Sequence, residues 1–435
     1  MHYKQQFCNS LSRTIRRKAT AVPAFVFMFL LAIVLAQPAQ AQFSVIYNFT
    51  DGVDGAQPTA GLTMDQVGNL YGTTCGRWCG GTHDEGTVFM LSKKGSGWIY
   101  TTLYTFQGGS DGSSPFSRVV FGPDGSLYGT TVYGGIGTCT SGNGCGLVYK
   151  LSPPSHIAPS VMNSWAKTVL YRITGGSDGG NPATGDLVFD QQGNIYGTTY
   201  SGGSPECGYC GVVFELTPSP SGWTESVLHA FTGDDGSSPY AGVIFDPSGN
   251  LYGATSFTVF ELTPSGSSWT ERVLHRFPPN GSDGAYPWGG LIFDGTLVGT
   301  TAGNGIYPSS GGSVFRLDPN FGGFELLYSI PGFPFCGPQA SLTAIAGNYY
   351  GTTACDGYGG GTVFKLSLHC ICSCWWQYDT LVELDGESYS NLVLDADRYA
   401  YGTAFYGGTH GMGSVFKLRI SAQEPVINGA CTSGR

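Results

Sequence analysis

Short apolar runs recur along this chain, separated by stretches rich in Gly, Pro, Asn, Asp and Ser. The first kind reads GLTMD at 61–65, DLVFD at 186–190, GVIFD at 242–246, GLIFD at 290–294 and NLVLD at 391–395. The second is Leu-Tyr-Gly-Thr-Thr or a close variant, with the tetrapeptide starting at Tyr71, Tyr128, Tyr196, Tyr252, Val298, Tyr350 and Tyr401. The third reads TVFML at 87–91 and returns in every unit, ending as SVFKL at 414–418. The fourth reads TLYTF at 102–106, VLYRI at 169–173 and VLHAF at 227–231. Val, Ile, Leu, Phe, Tyr and Thr dominate these runs, and turn formers bound them, which is strand chemistry. Beyond the N-terminus no window shows apolar recurrence at helical spacing.

The tetrapeptide returns every 46 to 68 residues, so the chain is a repeat protein. Between the first two runs lies Asp-x-x-Gly-Asn, as at 65–69 and 246–250, a turn in which Gly supplies the positive φ. Four antiparallel strands in a unit of this length describe a propeller blade, whereas the coil of a parallel β-helix is much shorter. The last unit stops after its third run, and a spare fourth run, VIYNF at 45–49, precedes the first unit. The sequence therefore predicts an all-β fold: a seven-bladed β-propeller of four-stranded antiparallel blades over 42–418. The N-terminal strand pairs with the last blade and closes the ring, so that no blade face is left without a neighbour.

Residues 1–41 read as an export signal: Lys4, Arg13, Arg16, Arg17 and Lys18 precede an apolar stretch at 21–36 and a small-residue cleavage site, Ala39-Gln-Ala41. The polar tail, 419–435, offers no membrane anchor. Losing the five basic residues of the leader takes the formal net charge from −10 to −15. A strongly acidic domain without a basic stripe is a poor nucleic-acid binder. The 41% hydrophobic content argues for a packed core and against disorder. Nothing in the sequence sets an oligomeric state, and a monomer is the working expectation.

Twelve cysteines follow the leader. In an oxidising compartment the spacing suggests Cys75–Cys79, Cys139–Cys145, Cys207–Cys210 and Cys336–Cys355, while Cys370, Cys372, Cys374 and Cys431 stay unassigned. Metal binding by Cys207-x-x-Cys210 is the lesser alternative, because a zinc site needs two such pairs together.

Loops joining the second run to the third, and the fourth to the next first, emerge on one face. The second set repeats Gly-Ser-Asp-Gly and places Asp54, Asp111, Asp178, Asp235 and Asp283 at equivalent positions. Turn capping explains them; a calcium site of hard oxygen ligands is the sharper alternative, although no interval matches an EF-hand. The rim also carries Trp78, Tyr133, Tyr200, Tyr240, Trp288, Tyr358 and Tyr406. Aromatic faces beside glycine suit stacking on sugar rings or gripping a peptide. His229 and His275 take the Tyr slot of the fourth run. The Gly-x-Ser-x-Gly matches at 108–112 and 175–179 have no following helix, so they are products of the loop repeat and not nucleophile elbows.

Units of the form GLxFDxxGNLYGTTxxGG…GTVFKL…WTExVLYxF, with Trp223-Thr-Glu225 and Trp269-Thr-Glu271 before the fourth run, resemble the GloVer-type tandem repeats of bacterial secreted and surface proteins. The resemblance runs from about residue 43 to 418 and implies an exported repeat protein, with no activity to carry onto particular residues. The leading functional expectation is a secreted or cell-surface binding module, non-enzymatic, taking a carbohydrate or a protein on its loop rim. The alternatives are a calcium-dependent propeller enzyme, lactonase- or lyase-like, acting at the axial mouth, and a structural surface protein.

Overall fold

A computed structural model describes residues 43–420 except 80, 82–84, 140–141, 155–164, 183, 208–209, 304–310, 356–358 and 371–372. The expected export signal, most of the tail, Tyr358, Cys372 and Cys431 lie outside the described residues.

The chain from Phe43 onward forms seven four-stranded antiparallel sheets arranged as a ring. In six of them the strands follow chain order from the axis outward, as in Thr63–Met64, Leu70–Thr74, Thr87–Lys94 and Gly97–Thr105. The seventh runs Val393–Leu394, Tyr399–Ala404, Ser414–Arg419 and then Phe43–Asn48. Phe43 pairs with Leu418 and Asn48 with Ser414, which is the predicted closure. Every blade, the closing one included, carries a register shift between its third and fourth strands. Such bulges bend and twist the outer edge.

The innermost strands are shorter than their apolar runs predict, at two or three residues. The reason is crowding at the axis. A Cβ at Gly185 would lie 2.7 Å from the Gly242 nitrogen, and one at Gly242 would lie 2.3 Å from the Asp186 carbonyl. The backbone leading into each inner strand abuts the next blade and does not extend the ladder in its own sheet.

Every position of the repeated tetrapeptide has a packing role. The Tyr ring meets an aromatic ring on the inner strand of the next blade: Tyr71 on Phe121, Tyr128 on Phe189 and Tyr196 on Phe245, at 5.0–5.2 Å between centroids. Its hydroxyl donates to the turn aspartate, as Tyr71 to Asp65 at 3.1 Å and Tyr401 to Asp395 at 2.8 Å. The Gly lies under a third-strand ring; a Cβ at Gly197 would sit 2.6 Å from Phe214 Cζ. The first Thr donates to a backbone carbonyl of the next blade: Thr73 to Ser117, Thr198 to Ala241, Thr300 to Ala340, Thr352 to Ser390 and Thr403 to Ala60. The second Thr closes the loop to the third strand, as Thr74 on Thr87 and Thr353 on Thr362. The core is accordingly a series of apolar clusters shared by adjacent blades. The cluster at the seam joins Phe49, Leu62, Leu70 and Phe89 to Tyr401 and Val415.

Candidate functional site

The two loop sets meet on one rim, where their backbones pair: Ser113 with Tyr133, Gly180 with Ser201 and Ala285 with Gly303. Disulfides reinforce this face. Cys75–Cys79, Cys139–Cys145 and Cys207–Cys210 staple second-to-third-strand loops, and Cys336–Cys355 ties an exit loop to such a loop. Cys370–Cys374, a pairing left open by the sequence, closes an outer hairpin.

The rim aspartates close their own loops. Asp54 accepts from Thr50 N and Oγ1, Gly52 N and the Tyr47 hydroxyl. Asp178 accepts from Thr174 and Tyr171, Asp111 from the Gln107 amide and Tyr104, and Asp235 from Thr232. His229 fills the Tyr slot and makes the same contact, Nε2 to Asp235 at 2.9 Å; His275 stands 3.3 Å from Asp283. Burial raises the Asp111 carboxyl, but hydrogen bonds from Lys167, Tyr104 and Gln107 more than offset it and leave the group below its usual range. The structure thus distributes these five carboxylates over five blades, each with donors of its own.

The aromatic residues behave differently, because they converge. Tyr240 meets Tyr200 edge-on at 5.4 Å and stacks on Trp288 at 5.3 Å. Trp288 in turn meets Tyr286 at 5.3 Å and Phe335 at 5.9 Å. Tyr406, exposed, packs on Phe405, and Phe405 packs on Tyr389. Burial, then the neighbouring hydroxyls of Tyr200 and Tyr133, raise the Tyr240 phenol. The Tyr389 phenol is raised by burial and by Glu387, and Tyr389 lines the same cavity as Trp288. Trp78 lies in the 3-10 turn Gly76–Cys79, and its side chain is outside the described set.

Phe116, Tyr286, Phe335, Tyr389 and Phe405 belong to this rim and were not singled out by sequence reasoning. A signal existed: the residue after the loop proline is Phe116 in one unit, Tyr240 in another and Trp288 in a third. That position faces the axis, because the chain turns there into the inner strand.

Below the rim lies an axial cavity of about 410 Å³. Thr59, Phe116, Trp288, Gln339 and Tyr389 surround its loop-side mouth, and Ile244, Phe245, Ile292 and Phe293 line its deeper, apolar part. Between them Arg118 grips Asp186 of the next blade, through Nε at 2.9 Å and Nη2 at 2.8 Å. Asn391 also projects here; it occupies space that a Cβ at Gly61 would take, 1.6 Å from its Oδ1. The cavity therefore offers aromatic faces at its mouth and a ring of amide, hydroxyl and paired-ion groups beneath.

The Gloeobacter/Verrucomicrobia repeat matches the sequence at residues 32–168, 141–294 and 257–427. No curated protein matches it. Among solved structures, the chain is similar to a protein of unknown function from Dyadobacter fermentans at 11% identity, covering 88% of this chain and 100% of that one, with a TM-score of 0.45. It is also similar to the PQQ-bound aldose sugar dehydrogenase of Streptomyces coelicolor at 13% identity, 88% and 99% coverage and a TM-score of 0.44. A gluconolactonase of Xanthomonas campestris gives 13% identity, 89% and 92% coverage and a TM-score of 0.40. Likeness at that level carries no statement about activity.

Proposed function

This chain belongs to the Gloeobacter/Verrucomicrobia repeat family, and we propose that it is an exported carbohydrate-binding propeller that takes its ligand at the aromatic mouth of the axial cavity. One observation carries the reading. Tyr200, Tyr240, Trp288 and Phe335 form a continuous run of rings across successive blades, and Trp288 opens onto the cavity. Rings presented at a concave mouth stack on the apolar faces of sugars, while amide and hydroxyl groups below them read hydroxyl positions. The cavity volume falls in the ordinary range for small-ligand sites. Asp186, a carboxylate among the described lining residues, is committed to Arg118, which favours binding over acid–base chemistry. Five disulfides among the described residues and the leader-like N-terminus support export.

A glycan array on the mature domain tests the proposal, followed by calorimetry with the best ligand. Trp288→Ala and Tyr240→Ala are each expected to weaken that ligand at least tenfold without changing the melting temperature of the blades. An array with no hit, or a hit insensitive to both substitutions, removes the proposal. A protein ligand captured on the same two aromatics would replace the sugar and keep the site.

A further inference from the structure

We propose that the joint between the blades of Tyr196 and Tyr252 binds one zinc-class divalent ion through His229, Asp235 and Glu271. His229 is the penultimate residue of the outer strand Gly222–Ala230, Asp235 lies in the loop that follows, and Glu271 comes from the outer strand of the next blade, Ser268–Arg276. One donor atom from each lies within 4.8 Å of the other two. His229 Nε2 and Asp235 Oδ2 are 2.9 Å apart, a hydrogen bond that needs to open only to about 3.3 Å for both atoms to sit roughly 2.0 Å from a shared tetrahedral ion. Thr232 holds the other Asp235 oxygen through its amide and hydroxyl, so the carboxylate is already aimed.

The repeat itself provides the comparison. The slot of Glu271 is filled at other joints by a residue that complements the preceding blade. Lys167 puts its ammonium 2.7 Å from Asp111 Oδ1. The Tyr100 hydroxyl donates to the Asp54 carbonyl at 2.7 Å. Phe324 stacks on His275 at 4.0 Å, and Tyr378 stacks on Tyr328 at 5.3 Å. Glu271 brings a second carboxylate to Asp235, and its Oε1 is buried without a hydrogen-bond partner. A cation is what the joint lacks, and Lys167 shows that this position accommodates one. Arg276 also bears on Glu271, but its guanidinium donates to the Asp234 carbonyl.

The donor set selects the metal. One neutral imidazole and two carboxylates balance a divalent charge and suit zinc, with a fourth position left to water. Calcium prefers six to eight oxygens and would not use the imidazole. The sister glutamate, Glu225, is equally unpartnered and faces Asp178, but its neighbour in the His slot is Tyr171, which supplies no third ligand.

The test uses purified protein stripped with EDTA and titrated with Zn²⁺ by calorimetry, with bound metal counted by mass spectrometry and thermal unfolding followed in parallel. One zinc per chain and a rise of several degrees in melting temperature are expected. Glu271→Gln and His229→Gln should each weaken binding at least tenfold, whereas Glu225→Gln should leave it unchanged. Glu271→Lys, which copies Lys167, should reach the stability of the zinc-loaded protein with no metal present. The idea is overturned if wild-type protein binds no zinc. It is equally overturned if wild type, Glu271→Gln and His229→Gln bind zinc alike.

Discussion

The Thr403 hydroxyl donates to the Ala60 carbonyl at 2.9 Å, joining residues 343 positions apart in the chain. The same clasp links consecutive blades elsewhere, as Thr198 to Ala241 and Thr352 to Ser390. The seam where the chain's two ends meet is therefore built like any other joint at its inner edge. What distinguishes it is the outer edge, where the fourth strand arrives from the other end of the chain.

Removing residues 43–49 takes away that strand and with it Phe49, which is fully buried in the seam cluster. Losing a buried Phe alone costs about 3–5 kcal/mol. A fall in melting temperature of more than ten degrees is expected, and an unchanged value would refute the closure.

Gly197 has an ordinary φ, so only space forbids a side chain there. Gly197→Ala should destabilise by about 1–3 kcal/mol in urea unfolding, because the Phe214 ring cannot retreat from a packed blade. Adding Phe214→Leu should return part of that loss; an additive double mutant would mean that the ring is not the obstacle.

Lys167 has a side chain only 4% exposed and carries the charge that balances Asp111. Lys167→Met keeps the stem and removes the ammonium, leaving Asp111 short of a partner at a cost of about 1–3 kcal/mol. The loss should shrink at a pH low enough to protonate Asp111, which a urea series at acid and neutral pH would reveal.

Burial, then Asp178, raise the Glu225 carboxyl from 4.5 to about 7. The unfolded chain therefore releases this proton first as pH rises, and folding stability falls between about pH 4.5 and 7 and is level above. Glu225→Gln should match wild type near pH 4 and exceed it at pH 8. A variant less stable than wild type at pH 8 would contradict the desolvated, unpartnered carboxyl.

The Cys336–Cys355 bridge spans 19 residues and ties two rim loops. Loop-closure entropy puts its removal at about 3 kcal/mol. Cys336→Ser with Cys355→Ser should lower the melting temperature and, by loosening the loop of Phe335, weaken any ligand held against Trp288. Unchanged affinity would separate that loop from the binding mouth.

Blade number, strand order and the seam were all legible in the amino-acid sequence, because each rests on local periodicity and on a count of runs that must pair. The Asp-x-x-Gly-Asn turn and the tyrosine that follows it carry their own hydrogen bonds within a few residues, as Asp65 does with Val67, Asn69 and Tyr71. The inner-strand lengths were not legible, since they depend on how closely neighbouring blades approach at the axis. Nor were the pairs that matter for chemistry: Arg118 with Asp186, Tyr240 with Trp288, and Glu271 with His229. Repetition makes every unit look equivalent along the chain. Only the curvature of the closed ring decides which side chain of one blade faces which loop of the next, and so whether a slot holds a lysine's own charge or waits for an ion.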